Sequence, residues 1–316
     1  MTDFTAKETK MNKKIIILAG ATGYLGEKIA KELHLQGAHV RAMVRATSNR
    51  TKLEKLGITD FITGDMMDPA SLENALGQSP KADAIIASAA GYTGHTKGDN
   101  HKTDTEGYKN LADAAKAANI PRFVLISILE CDKAREVPHF YHKHLVEKYL
   151  REIEQPFIAL RPGAFLDQTK DFVLPKIQNG IFPSFVTGVS LGMIYTDDLA
   201  RYAAMAAVSV PDSELGITVD VGWEKPVSGD DLADAFSKVL GKMVVSKPAF
   251  PDFVVNFILP VVGIFNPGIK DMYSMIKWIK TGAYKSKNTQ KQKELFSDLP
   301  TAEEAVNRYC KDRKLI

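Results

Sequence analysis

Along the first half of the chain, short apolar runs alternate with longer stretches in which apolar residues recur every three or four positions. The runs are KIIILAG (14–20), AHVRAMV (38–44), ITDFITG (58–64), ADAIIASA (82–89), RFVLISI (122–128) and FIALRPG (157–163). Between them, Leu25, Ile29 and Leu33, or Leu72, Ala75 and Leu76, keep the spacing of one helical face. Several runs show no polar alternation, as strands do when helices cover both faces of a sheet. The pattern therefore predicts an α/β fold with a doubly wound parallel sheet. Asp68-Pro69 reads as a helix entry and Ile120-Pro121 as a helix stop.

Beyond Gly163 the alternation fades. Helical patterns (DDLARYAAMAAV, GDDLADAFSKVLG, IKDMYSMIKWIK) mix with isolated strand patterns (ITVDVG, KMVVSKP), which suggests a smaller C-terminal lobe at the carboxyl edge of the sheet. Ligands of open α/β sheets lie at that edge, so substrate contacts are expected from this lobe.

Gly20, Gly23 and Gly26 fall between the first run and the first helical pattern. In that setting one glycine permits a tight turn, another lets a diphosphate approach the main chain, and the third lets the helix pack on the sheet. The first-turn amides and the positive helix end then face the phosphates. Thr22, Tyr24 and Leu25 in this turn, with Ser88 ending the fourth run, are candidate cofactor contacts. About twenty residues on, where an NAD site carries an acidic residue for the ribose, the second run ends in MVRATSNR. Arg45, with Ser48 and Arg50 behind it, suits a 2′-phosphate, so NADP is the expected cofactor and NADPH is preferred over NADH. Asp65 and Met66 are candidate neighbours of the adenine, while Asp68 reads as the cap of the next helix. The resulting division is a flexible tail over 1–12, an NADP-binding Rossmann domain over 13–163, and a region over 164–316 that is mainly substrate lobe, with some segments returning to the first domain.

Composition narrows the classes. With 45% hydrophobic and 25% charged residues the chain is an ordinary globular protein. Forty-one basic against thirty-eight acidic residues give a net charge of +3, too small by itself to argue for a nucleic-acid or membrane partner, and no nucleic-acid partner is expected. Two cysteines, Cys131 and Cys310, imply no disulfide framework and a reduced, cytoplasmic setting. The opening MTDFTAKETKMNKK has no apolar core of a secretory signal. FVVNFILPVVGIF (253–265), broken by Asn256 and Pro260, is short for a membrane span and is expected to be core, lid or subunit contact, with a membrane-surface patch as the other reading.

GATGYLG, VRATSNR, GDMMDPASLENAL, HKHLVEKYL, FIALRPGAF and IYTDDLARYAA together resemble the atypical short-chain dehydrogenase/reductase superfamily, in its NmrA-like and isoflavone-reductase-like branch. The similarity runs over roughly residues 13–205, and ELFSDLPTAEEAVNRY near the end is similar to the same branch. That fold hosts reductases, redox sensors and assembly factors. Typical superfamily members use a serine ending the fifth strand and a Tyr-x-x-x-Lys pair on the next helix. Ser127 matches the serine, but Tyr141 is followed four residues later by Leu145. Tyr24 with Lys28, and Tyr273 with Lys277, keep the spacing elsewhere and read as chance. The branch carries a lysine four positions before a glutamate, matched by Lys143 and Glu147, and the resemblance implies that Lys143 holds the nicotinamide ribose or takes part in proton transfer.

On a helical projection, Tyr141, Leu145, Tyr149 and Ile153 form an apolar stripe with Val146 and Leu150 at its edge and Lys143 beside Leu150 at the margin. His139, one turn earlier, is the candidate proton donor beside Lys143, with Pro138 in the helix's first turn. A lysine paired simply with Glu147 is the plainer alternative. His142 and His144 flank Lys143, but their spacing matches no common zinc pattern and the lysine would repel a cation, so no metal is expected. Cys131 reads as a structural thiol. Pro162 and Phe165 are candidate nicotinamide contacts, with Tyr92 and Phe165 facing substrate; Phe165 reads equally as core.

The expected activity is hydride transfer from NADPH to a small apolar acceptor, aromatic or quinone-like. The other reading is a non-catalytic NADP(H)-binding sensor or assembly factor with a protein partner. No integral membrane segment is expected, and the oligomeric state is not readable.

Overall fold

Apolar runs without polar alternation become strands covered on both faces. The computed structural model describes residues 13–91, 100–167, 172–286 and 289–316. Its first half runs β1 (Ile15–Ala19), α1 (Tyr24–Leu35), β2 (His39–Val44), α2 (Thr51–Lys55), β3 (Asp60–Thr63), α3 (Pro69–Leu76), β4 (Ala84–Ala87), α4 (Asn100–Lys102), α5 (Tyr108–Ala117), β5 (Phe123–Ile126), α6 (Pro138–Glu152) and β6 (Phe157–Pro162). There follow β7 (Ala164–Phe165), α7 (Leu174–Gln178), β8 (Ile181–Ser184), β9 (Met193–Ile194), α8 (Thr196–Val208), β10 (Ile217–Val221), α9 (Gly229–Leu240), β11 (Val245–Pro248), α10 (Leu259–Phe265), α11 (Pro267–Lys280), α12 (Gln290–Phe296) and α13 (Ala302–Asp312). The expected N-terminal tail, 1–12, and Tyr92 lie outside the described residues.

Seven strands form one parallel sheet in the order β10-β6-β5-β4-β1-β2-β3. Chain order reverses between β1 and β4, which makes the carboxyl end of β1 the topological switch point. Ala19 is level with Met43 of β2 on one side and Ala87 of β4 on the other, so the three strands finish together. Alternation decides the two faces. Ile16, Leu18, Ile86, Val124 and Leu160 pack in one apolar cluster with α1 and α8. Ile17, Ala19, Ile85, Leu125 and Ala159 pack in the other with α3, α5 and α6.

The segments that return to this sheet from the second half are β10, paired with β6, and α8. Ala200, Ala203, Ala204 and Ala207, all buried, place small side chains along one face of α8, which lies against α1. The lobe core joins β8, α9 and α13 through Phe182, Trp223, Phe236 and Tyr309. Capping boxes start α9 (Ser228 with Asp231) and α13 (Thr301 with Glu304), each worth about 1 kcal/mol. The strand expected at KMVVSKP is β11, but it pairs with β8, outside the main sheet.

The segment 253–265 is not core. It forms a π-helical turn (Val254–Ile258) and α10, in which Val255, Leu259 and Gly263 are buried, while Phe257, Ile264 and Phe265 are exposed. α10 is apolar around its whole circumference, and one face suffices to pack on α11. Among the described residues no helix is long and apolar enough to cross a membrane.

Candidate functional site

The glycine turn sits at the switch point. Gly20 has φ +82°, in the left-handed region, and a Cβ there would lie 2.6 Å from the Ala89 amide nitrogen. The Gly23 amide donates to the Gly20 carbonyl at 3.0 Å. A Cβ on Gly26 would fall 2.0 Å from that same carbonyl oxygen, so only glycine lets the start of α1 close onto the turn. Gly23 is the N-cap and supplies no side-chain cap, and amides of a helix's first turn have no intrahelical acceptor. Gly23 is exposed and Thr22, Tyr24 and Leu25 half-buried around it. Exposed main chain, uncapped amides and a positive helix end fit a diphosphate. Ser88 stands beside the turn, but its hydroxyl donates to the Ala19 carbonyl at 2.9 Å and so fastens β4 to β1.

Beyond β2, Arg45 is exposed, and among the described residues no carboxylate pairs with it. Its amide donates to Ser48 Oγ at 3.1 Å while the Ser48 amide donates to its carbonyl at 2.9 Å, which anchors the backbone from which the guanidinium extends. Arg50, expected beside it, stacks on Phe61 with 5.1 Å to the ring centroid. Asp65 accepts the Met67 amide at 2.9 Å, shaping its own turn, and Met66 is buried in the core. Asp68 caps α3 by accepting the Ser71 amide.

The buried face of α6 keeps the edge of the projected stripe, Val146 and Leu150, but not its centre. His139, Phe140, Lys143, Val146, Glu147 and Leu150 are buried, whereas Leu145 is exposed and the Tyr149 hydroxyl reaches Asp113. The projection fails because three residues of the true face are ionisable, and each finds a partner from another element. Lys143 is not paired with Glu147. Its Nζ lies 3.3 Å from Asp104 Oδ1 and 3.8 Å from the centroid of the Tyr108 ring. Asp104 also accepts the Gly91 amide at 3.1 Å, and the Tyr108 hydroxyl donates to the Ala89 carbonyl. The contacts Gly20 to Ala89, Ala89 to Tyr108 and Tyr108 to Lys143 therefore join the glycine turn to the lysine. Burial disfavours the ammonium, but Tyr108 and Asp104 outweigh it and hold the Lys143 pKa above its ordinary value. His139 meets Asp271 of α11, with Nδ1 2.9 Å from Oδ1. His142 packs edge-on against His101, and its pKa is lowered by burial and then by that ring. Among the described residues no three metal-ligating side chains converge.

Ser127 does not face Lys143. Its hydroxyl donates to Glu147 Oε1 at 2.6 Å, and Arg161 of β6 grips both oxygens of Glu147, at 2.9 and 2.6 Å. The buried carboxylate draws in the nearest donor. Burial, then the Glu147 charge, pushes the neighbouring Cys131 thiol up to about 12, which fits a structural thiol. Cys310 is likewise buried.

Tyr24 and Lys28 meet on one carboxylate. The Tyr24 hydroxyl donates to Asp167 Oδ2 at 2.6 Å, and Lys28 Nζ reaches Asp167 at 2.8 Å and Thr196 at 2.7 Å. The cluster ties α1 to the segment after β7 and the start of α8. Pro162 is buried and its carbonyl accepts the Leu129 amide at 3.0 Å; Phe165 is half-buried and packs against the sheet core. Asp104, Tyr108, Asp167 and Asp271 were not singled out in the sequence. Asp104 and Tyr108 do stand four apart on one face, the one local signal available.

The NmrA-like family model matches residues 11–306. The chain belongs to the NmrA-like family. This NmrA-like protein is 30% identical over 192 residues to the photosystem II assembly factor Ycf39 of Guillardia theta, covering 60% of this chain and 59% of that one. It is 27% identical over 161 residues to an uncharacterized sugar epimerase, YhfK, of Bacillus subtilis, covering 48% and 73%. Among solved structures, an NADPH-dependent quinone oxidoreductase of Escherichia coli complexed with NADPH aligns with a TM-score of 0.72 at 20% identity, over 93% of this chain and 99% of that one. Citrobacter sp. triphenylmethane reductase complexed with NADP(H) gives 0.72 at 20% identity, over 93% and 99%. At such identities the likeness establishes the fold.

Proposed function

We propose that this NmrA-like protein binds NADPH across the carboxyl ends of β1, β2 and β4 and reduces a small apolar acceptor, aromatic or quinone-like. The observation that carries the reading is the uncapped glycine turn at the switch point with Arg45 exposed at the end of the adjacent strand. The E. coli and Citrobacter reductases of the same fold, complexed with NADPH and NADP(H), support it. When bound, the nicotinamide cofactor supplies a hydride. The glycine turn would hold the diphosphate and Arg45 the 2′-phosphate. The raised pKa of Lys143 suits it to hold ribose hydroxyls as a persistent ammonium donor, not to release a proton near neutrality. His139, oriented at Nδ1 by Asp271, is the group proposed to exchange a proton. Ser127, engaged by Glu147, is given a structural part.

The second reading, an NADP(H)-binding sensor or assembly factor without turnover, is favoured by those same engaged side chains and by the named role of the Guillardia relative. NADPH oxidation against a panel of quinones, enones and carbonyls separates the two. Turnover that drops by about 100-fold or more in Lys143→Ala, with NADPH binding measured in parallel by calorimetry, supports the reductase. Binding without turnover across the panel supports the sensor.

A further inference from the structure

The α10–α11 hairpin presents an apolar face that nothing among the described residues covers. Phe257, Ile264 and Phe265 are 72%, 75% and 84% exposed, and Phe253 and Val261 extend the patch. Its inner side is already filled, because Val255, Leu259 and Ile276 form a cluster with Phe250, Met272 and Tyr273, and Asp271 meets His139. The outer face therefore cannot close onto the body of the protein. Between Lys242 and Lys287 the chain carries seven lysines and no arginine, against two carboxylates, of which Asp271 is buried. Lys270, Lys277 and Lys280 are exposed along α11, opposite its buried stripe. Gly263 seats α10 directly on the backbone of Lys270, since a Cβ there would lie 3.1 Å from the Lys270 α-carbon, so basic and apolar residues adjoin.

We propose that this face docks on an anionic lipid surface, with the aromatic tips entering the headgroup boundary and the lysines meeting lipid phosphates. α10 has seven residues, enough to lie in an interface and far too few to cross it. A second copy is the poorer occupant: a two-fold contact would bring one lysine-rich rim against another, and like-charge juxtaposition is costly. The proposal does not depend on turnover or on NADPH.

Flotation of the full chain with vesicles tests it, comparing phosphatidylcholine alone with phosphatidylcholine containing about one third phosphatidylglycerol. The expected result is recovery with anionic vesicles only, lost at high salt. Recovery should fall at least about tenfold in Phe257→Asp with Phe265→Asp, and about fivefold per lysine in Lys270→Glu and Lys277→Glu. All four positions are exposed, and unchanged circular dichroism and an unchanged Tm would show the variants intact. No recovery with anionic vesicles, recovery unchanged in these variants, or equal recovery with the neutral lipid overturns the proposal. So does a dimer that the Phe variants split while vesicles bind nothing, which assigns the face to a second copy.

Discussion

Arg45 carries a charge that no neighbour among the described residues neutralises, on a backbone anchored by reciprocal bonds with Ser48. Such a residue is available for a ligand, and a 2′-phosphate distinguishes NADPH from NADH at that point. A charged hydrogen bond is worth about 1.5–3 kcal/mol, so Arg45→Glu is expected to raise the Kd for NADPH by roughly 10- to 150-fold. NADH, lacking that phosphate, should change by less than about threefold. Calorimetry of both coenzymes decides it; equal losses would overturn the 2′-phosphate assignment, and no loss for either would leave Arg45 a surface residue. At this scale the glycines were legible, because a left-handed φ at Gly20 and a 2.0 Å approach at Gly26 admit one residue type. The partners of Lys143 and His139 were not. Asp104 lies thirty-nine positions before Lys143, and Asp271 far beyond His139, so no local spacing reports either pair.

Between elements, the ionic clusters do what apolar faces do elsewhere. Lys28 of α1 and Asp167 after β7 join the first crossover to the start of α8, with Tyr24 and Thr196 completing the carboxylate's bonds. Burial raises the Asp167 pKa, but Lys28 and these hydrogen bonds outweigh it and hold the carboxyl below its ordinary 3.8. A carboxyl depressed in the folded state adds stability that is complete above the unfolded value and is lost as pH falls through the folded one. Asp167→Asn should therefore cost about 1–3 kcal/mol near neutrality, and the gap from the native chain should narrow below the ordinary carboxylate range. Urea denaturation near neutrality and near pH ~3 measures it; a gap that stays constant would mean that the carboxylate's charge contributes nothing. The same kind of cluster explains where pattern reading of elements failed. The six strands of the first half were legible because continuous apolar runs have one common use, whereas α6 buries His139, Lys143 and Glu147, which a hydropathy projection turns toward solvent. β8 escaped notice because Pro183 interrupts its pattern and its partner β11 comes sixty-four residues later.

For the whole molecule, the two halves are interleaved and not strung in series. β10 completes the sheet beside β6, and α8 covers it. Arg308 of α13 binds both oxygens of Asp198 in α8, and Arg313 donates to Tyr24 in α1. A lobe so tied cannot unfold without stripping the sheet of a strand and a covering helix, so a single cooperative transition is expected. A ligand held at the glycine turn, wholly in the first half, should then stabilise both halves equally. At about 100 times its Kd, NADPH adds about 2.7 kcal/mol, which for a chain of this length is a rise of about 4 °C in Tm. Calorimetric scans with and without NADPH should show one peak moving as a unit, with tryptophan fluorescence from Trp223 and Trp278 in the second half following the same curve. Two peaks, of which NADPH moves one, would mean that the C-terminal contacts to Asp198 and Tyr24 do not couple the halves, and that the lobe folds on its own account.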